Sequence, residues 1–280
     1  MNSSDVIRVR LLLHYNGRDF HGWQVQPGLR TVQGEIEAVL ERVSGEHRTL
    51  LGSGRTDTGV HATGQVATAH VPAHWTAERL QIALNALLPN DIWVERVEIV
   101  EGDFHPRYDA TRRTYHYRVG TAPRSRSPFY RPFCWALAEA LDLELLERTA
   151  AALPGTHSFR AFAKAGQPER GELCTVYAAS WAPWGEVGAP LGVEFTITAN
   201  RYLHHMVRYL VGTQVAIARG ERPEGDLALL LADPDAGSTS RPAPPEGLYL
   251  ALVEYTQFDE GSAGAGDDVD PDPDHLGDSQ

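Results

Sequence analysis

Thr49-Leu-Leu-Gly-Ser-Gly-Arg-Thr-Asp-Thr-Gly-Val-His-Ala62 joins a short apolar run, Thr49 to Leu51, to the β-like stretch Gln65 to Val71. Reading it as strand, loop, strand decides the fold of the first half of the chain. Glycines at 52, 54 and 59 open backbone conformations closed to other residues and let another group approach the main chain closely. Between them the loop can hold Arg55, Asp57 and two threonine hydroxyls at fixed angles, with His61 at its end. The competing reading is a tight turn in which Asp57 only caps its own backbone, a common use of Asp in turns.

Outward from this loop, Ile7 to Tyr15 (IRVRLLLHY) starts in alternation and becomes continuously apolar, which reads as a strand with one well-buried end. The Gly-punctuated stretch Asn16 to Gly28 carries Phe20, His21, Trp23, Gln24 and Gln26. Such rings and amides suit a site that reads unstacked bases, and the two aromatics equally suit plugs of the core beneath a loop. Thr31 caps a helix to about Val43 with an apolar stripe of Val32, Ile36, Val39, Leu40 and Val43. After Val71, Thr76 caps a second helix bearing Leu80, Ile82, Leu84, Leu87 and Leu88, and a strand follows from Ile92 to Val100. The order β, α, β, β, α, β is that of a ferredoxin-like sandwich, with helices on one face of an antiparallel sheet.

Phe104-His-Pro-Arg-Tyr-Asp-Ala-Thr-Arg-Arg-Thr-Tyr-His-Tyr-Arg118 carries four arginines and three tyrosines. From Thr114 it alternates, with Tyr115, Tyr117 and Val119 on one side and His116 and Arg118 on the other. Arginines interleaved with aromatics match a surface that tracks phosphates and stacks bases, and a solvated edge strand would read the same way. Ala122 to Pro132 is a Pro/Ser/Arg connector, after which the second half loosely repeats the first. A helix at about Leu143 to Leu153 is followed by strands at Leu173 to Ala182 and Gly192 to Ala199, then a long helix from Tyr202 to Arg219. On that helix Arg208 lies beside the apolar stripe of Leu203, Met206, Val207, Leu210 and Val211, where a charge needs a partner. A short helix at 223–233 and a closing strand from Gly247 to Tyr255 complete the pattern. The chain thus divides into an α/β half at 1–112, which carries the loop of Asp57, a second α/β half at 113–258 and an acidic tail at 259–280. The tail cannot bury apolar surface and reads as disordered.

The formal charge of -12 argues against an anionic partner until its distribution is considered. Eight of the acidic residues lie from Asp259 onward, leaving 29 acidic against 25 basic side chains in the body of the chain. All basic residues but Lys164 are arginine, which binds phosphate bidentately and stacks on bases; genome composition explains the same bias. Cys134 and Cys174, in unrelated strand-like contexts, read as buried reduced thiols. The N-terminal residues enter a strand pattern directly, without the apolar core of a signal peptide, and no run reaches membrane-spanning length. The expectation is a cytoplasmic protein with no membrane association.

Taken together, these motifs resemble the tRNA pseudouridine synthase A family across about residues 7 to 256. G-R-T-D-x-G-V-H-A stands at Gly54 to Ala62, and the family's aromatic and amide loop at Tyr15 to Gln26, with Asn16 in an Asp place. L-N-x-x-L-P-x-D-I spans Leu84 to Ile92, F-H-x-R spans Phe104 to Arg107, and R-x-Y-x-Y spans Arg113 to Tyr117. M-V-R-x-x-V-G is Met206 to Gly212, and A-P-x-x-G-L-x-L is Ala243 to Leu250. The resemblance implies an α+β fold: two ferredoxin-like (RNA-recognition-motif-like) halves share a mostly antiparallel sheet, with helices outside and an active-site cleft between halves. It implies Asp57 as the catalytic nucleophile, Arg208 as its partner, Tyr115 as the ring against the target uracil, Arg55 as the arginine that assists base flipping, and Leu248 as the apolar residue under the base. Phe104, His105, Arg107 and Tyr108 fall in the place of further substrate contacts. The implied substrate is uridine at positions 38, 39 and 40 of tRNA, in the anticodon stem-loop, and the implied assembly a homodimer. The departures are Asn16, Ser158 after His157, and Asn200-Arg201-Tyr202, none of which is expected to touch Asp57, Tyr115 or Arg208. The Gln167 to Glu172 loop, which the resemblance places against tRNA, is less basic than that role suggests.

Isomerising uridine to pseudouridine breaks the N1 glycosidic bond and rejoins the uracil through C5 with no net redox change, so neither metal nor organic cofactor is expected. An ionised carboxylate beside an arginine is a sufficient polar core for such a step. Tyr115 could stack on the detached uracil or transfer a proton. Two other classes use the same residues: a non-catalytic RNA-binding module has no need of Asp57, and a metal-dependent hydrolase would draw on His61, Asp57, His204 and His205. Adjacent histidines on a helix point about 100° apart, which disfavours the hydrolase.

Overall fold

Val9, Leu11, Leu13 and Tyr15 alternate with more exposed residues and are all buried, and this periodicity makes β1 (Val6–Tyr15) the spine of the N-terminal half. The computed structural model describes residues 6–164 and 171–256. The acidic tail and positions 167–170 of the Gln167 to Glu172 loop lie outside the described residues. β1 is followed by α1 (Val32–Ser44), β2 (Leu51–Gly52), β3 (His61–Pro72), α2 (Ala77–Leu87) and β4 (Ile92–Val100). The Thr31 hydroxyl accepts from Gly34 N at 3.3 Å and caps α1, and Thr76 does the same for α2 through Arg79 N. α1 lies against β3 and α2 against β4, the expected ferredoxin-like arrangement. Ile82 departs from the expected stripe: it is 63% exposed, because only Leu80 and Leu84 of α2 turn fully inward.

The C-terminal half runs β5 (Arg112–Gly120), β6 (Trp135–Ala136), α3 (Leu143–Ala150), β7 (Gly155–Ser158), β8 (Leu173–Glu186), β9 (Ala189–Ala199), α4 (Met206–Ala218), α5 (Asp226–Ala232) and β10 (Leu248–Glu254). Among the described residues the ten strands form one sheet in the order β4-β1-β3-β10-β5-β9-β8-β7, with β2 on β3 and β6 on β5. Pairing is antiparallel except at β5–β6 and at β10–β3. The mixed α+β architecture, with a large, mostly antiparallel sheet, is therefore the one the sequence implied. One core lies under α1 and α2, the other among α3, α4, α5, β5, β8 and β9, and Tyr115 packs against both. Both cysteines are free and buried. Among the described residues no helix is long and apolar enough to cross a membrane.

α4 begins at Met206, four residues later than the apolar period suggested. Three side chains hold the preceding segment to the sheet instead. Asn200 Oδ1 accepts from Thr175 N at 2.9 Å, Arg201 Nη1 donates to Leu173 O at 3.3 Å, and the Tyr202 hydroxyl lies 2.8 Å from Ile197 O. His205 then takes a left-handed φ of 65° before the helix starts. The helix itself is docked by Gln214, fully buried, whose Oε1 accepts from Trp181 Nε1 at 2.9 Å while its Nε2 donates to Leu210 O. Gln214→Leu strands the buried Trp181 indole N–H, and the expected cost is about 1–3 kcal/mol of unfolding free energy, read from urea denaturation.

Candidate active site

The loop between β2 and β3 is fixed from below before anything approaches it from above. Tyr15 hydroxyl and Thr56 Oγ1 are 2.8 Å apart, Ser53 Oγ donates to Gln65 Oε1 at 2.7 Å, and Gln65 Nε2 donates to Gly54 O at 2.9 Å. Trp23 N donates to Thr56 O, and Val60 N closes the turn on Asp57 O. Gly59 has φ +80°, a conformation that resists any side chain. Gly52 meets the Trp23 ring, which a Cβ would approach to 2.6 Å, whereas Gly54 has open space and an unexceptional φ, so the expectation that all three glycines are needed holds for two. Phe20 and Trp23 are buried core plugs, the second of the two readings open to them. Among the described residues the Asp57 carboxylate bonds none of its own backbone, so it is not a turn cap; it faces the C-terminal half.

His204 Nε2 lies 3.2 Å from Asp57 Oδ1 in a hydrogen bond, His205 Nε2 lies 3.2 Å from Oδ2, and Arg208 Nη1 lies 4.0 Å from Oδ2. Sequence reasoning named Arg208 and set the histidines aside as helical residues pointing apart. They precede the helix, and the backbone turn at His205 aims both rings at one carboxylate. His204 fixes the carboxylate by a directional hydrogen bond, and Arg208 adds a full positive charge at 4.0 Å. Arg208 is itself fixed by Nε donating to Ala243 O at 2.7 Å. Burial pushes the His205 pKa down, and the Asp57 charge opposes that shift.

Arg113 joins three segments around this carboxylate: its guanidinium donates to Ser53 O at 3.1 Å, Arg107 O at 2.8 Å and Asn200 O at 3.2 Å. Nothing in the sequence gave it a role beyond the R-x-Y-x-Y match. Tyr115, two residues on, is half-buried, and its ring meets Tyr202 edge-on at 4.8 Å. One of the departures from the family pattern therefore touches the site, contrary to expectation: Tyr202, through the Tyr115 ring; Asn200 meets Arg113 but none of Asp57, Tyr115 and Arg208, as expected. Burial, with the Asp57 charge adding to it, pushes the Tyr115 pKa up to about 12. Asn16 caps a turn by accepting from Arg18 N, as Asp would, and Ser158 Oγ donates to Glu172.

Arg55 is exposed and makes no hydrogen bond or ion pair among the described residues, and Leu248 is buried at the start of β10 opposite Tyr117. Arg107 and Tyr108 are exposed, and the His105 ring lies tilted against Tyr108, centroids 4.3 Å apart, while its Nδ1 accepts from Arg107 N. Phe104 corrects the expectation of an RNA contact. It is buried edge-on against Tyr255, whose hydroxyl donates to Pro106 O, so it anchors the turn that presents Arg107 and Tyr108. Arg118 is half-buried and bonded to Glu194.

A continuous sheet of two ferredoxin-like halves, with one carboxylate offered at the seam by a glycine-framed loop, is the arrangement of a pseudouridine synthase. A family profile described as tRNA pseudouridine synthase matches residues 12–109 and 149–256. The tRNA pseudouridine synthase A of Geobacillus kaustophilus is 39% identical over 249 residues, covering 89% of this chain and 94% of that protein. The protein of the same name from Moorella thermoacetica is 40% identical, covering 88% of this chain and 99% of its own. The chain belongs to the tRNA pseudouridine synthase A family.

Arg113→Ala is expected to lower turnover by about 100-fold, since an ångström of displacement in a reacting group costs that much, while tRNA affinity changes less than about tenfold. Single-turnover kinetics beside filter binding separates the two effects. Alkaline pH gives a second outcome. Folding raises Tyr115 and Tyr249 from 10.0 to about 12, so the folded chain holds protons that the unfolded chain releases. Their contribution is complete below pH 10 and lost as pH rises to 12, at about 1.4 kcal/mol per pH unit for each. Denaturation midpoints across that range, with tyrosinate absorbance recorded in parallel, check it.

Proposed function

We propose that this chain isomerises uridine to pseudouridine in the anticodon stem-loop of tRNA, at positions 38 to 40, with Asp57 as nucleophile. The observation that carries the reading is the Asp57 carboxylate at the seam between the two halves, met by His204, His205 and Arg208 from more than 140 residues away in the chain. A target base reaches this carboxylate only after it leaves its stem, at a cost of a few kcal/mol. Arg55, exposed two residues from Asp57, occupies the vacated space or holds the displaced phosphate. Tyr115 offers its ring face to the uracil, and at neutral pH its phenol remains protonated. Leu248 supplies the apolar floor. The reaction balances: the N1–C1′ bond breaks, a C5–C1′ bond forms, and the C5 proton is lost to solvent while N1 gains one.

His105, Arg107 and Tyr108 make the outer contacts with the stem-loop. Family resemblance supports a homodimer and a cytoplasmic location. It also supports the division at residue 112, on either side of which the two α/β halves contribute to the site.

Asp57→Ala is expected to abolish tritium release from tRNA labelled at C5 of uridine and to leave tRNA binding within about tenfold, because phosphate contacts dominate affinity. Release at the wild-type rate from this variant overturns the reading. Binding without release by the wild-type protein would make it an RNA-binding module instead.

A further inference from the structure

One oxygen of Asp57 and one ring nitrogen each of His204 and His205 all lie within 4.8 Å of one another. Each imidazole nitrogen is 3.2 Å from a different carboxylate oxygen. Donors bound tetrahedrally to zinc at about 2.0–2.1 Å are roughly 3.3 Å apart, so whichever carboxylate oxygen binds already has one imidazole nitrogen at the spacing of a coordination edge, and the other imidazole closes in from within 4.8 Å. The rings converge because His205 adopts φ 65°, a conformation uncommon for a residue with a side chain and concentrated at constrained sites. The cluster is open to an entering ion: the side chains of Asp57 and His204 are 31% and 34% exposed. Arg208, with Nη1 4.0 Å from Oδ2, opposes a cation, which limits the site to ions that gain strongly from imidazole nitrogen.

We propose that Asp57, His204 and His205 bind one divalent transition-metal ion of the zinc type, and that the bound ion stops turnover by occupying the carboxylate the reaction needs. The inhibitory half of this proposal rests on the isomerase reading above; the binding half does not. Two imidazoles and one carboxylate select zinc, cobalt, nickel and copper over magnesium, which requires an octahedral oxygen shell. Each imidazole coordinates through an Nε2 lone pair, its N–H proton passing to the other ring nitrogen or to solvent. Solvent fills the remaining position. The ion plays no part in the isomerisation and acts as a reversible block.

Cobalt(II) titrated into chelator-treated full-length protein is expected to give ligand-field absorption of a low-coordinate site, saturating at one equivalent per chain. Zinc abolishes the signal and millimolar magnesium does not. The His204→Ala/His205→Ala double variant is expected to bind at least about 100-fold more weakly, since even the outer partners of metal ligands are worth 10–100-fold. Should circular dichroism show that variant unfolded, Asp57→Asn, which keeps the side-chain shape, gives the same comparison. With wild-type protein, tritium release falls as zinc occupancy rises and returns on adding chelator. Absence of the cobalt bands, the same bands in a folded variant, or full turnover by zinc-loaded protein each overturns the proposal. A wild-type protein that binds cobalt but releases no tritium without metal instead overturns the isomerase reading and leaves the metal site standing.

Discussion

Two rungs of parallel pairing, Tyr249 with His61 and Leu250 with Ala62, attach the last described strand to the residues that follow the Asp57 loop. On its other edge the same strand pairs antiparallel with β5, which sets Leu250 opposite Tyr115 and Leu248 opposite Tyr117. A short parallel ladder has little stability of its own, and here it is buried on both flanks by longer antiparallel ladders. Its consequence is positional. His61 is fixed against the Tyr249 ring, stacked at 4.8 Å, and its Nδ1 accepts from Gly17 N, so the chain leaving the loop cannot drift from the C-terminal half.

With both ends of the loop held, the geometry around Asp57 becomes a matter of what the other half brings. Arg113 removes the remaining freedom by bonding carbonyls of the loop, of the Phe104 turn and of the segment before α4. A guanidinium suits this task because its donors form a rigid planar fork spread over separate nitrogens; the three donors of a lysine all leave one nitrogen and span less. The same segment before α4 carries His204 and His205, so the hydrogen bonds that interrupt the helix are the ones that aim the rings. An earlier helix start would carry the two side chains round the axis by about 100° per residue and separate them.

Much of this was legible in residue patterns, and what was not has a common cause. Period-two alternation located β1 and β5, and threonine caps located α1 and α2, because those signals act within a few residues. The start of α4 was misplaced because Leu203 and Met206 continue an apolar period across residues that do not form a helix; their burial follows from tertiary packing, and the period cannot tell the two origins apart. Phe20 and Trp23 stayed ambiguous for the same reason, since an aromatic in a glycine-rich loop is core or surface depending on what lies beneath it. Phe104, read with its exposed neighbours as an RNA contact, is instead the buried member of the motif. The His204–Asp57 bond spans 147 positions, and no local signal announces it.

A left-handed non-glycine residue at the rim of a site costs of order 1–3 kcal/mol, and something must hold it there. At His205 the holding groups can be named: the Asp57 carboxylate on its ring, and a segment tied to β8 and β9 by Asn200, Arg201 and Tyr202. The strain is therefore coupled to the state of the carboxylate it faces. While that carboxylate is free, the imidazole contacts offset the backbone cost; once it is covalently engaged, those contacts weaken and the left-handed turn is favoured less. Chemistry at Asp57 and the conformation at the start of α4 are linked in this way, and Arg208 on that helix experiences both. The carboxylate thus serves as a structural counter-charge in the resting protein and as the reacting group in the proposed isomerisation, which is why the residues that orient it come from the half of the chain that does not carry it.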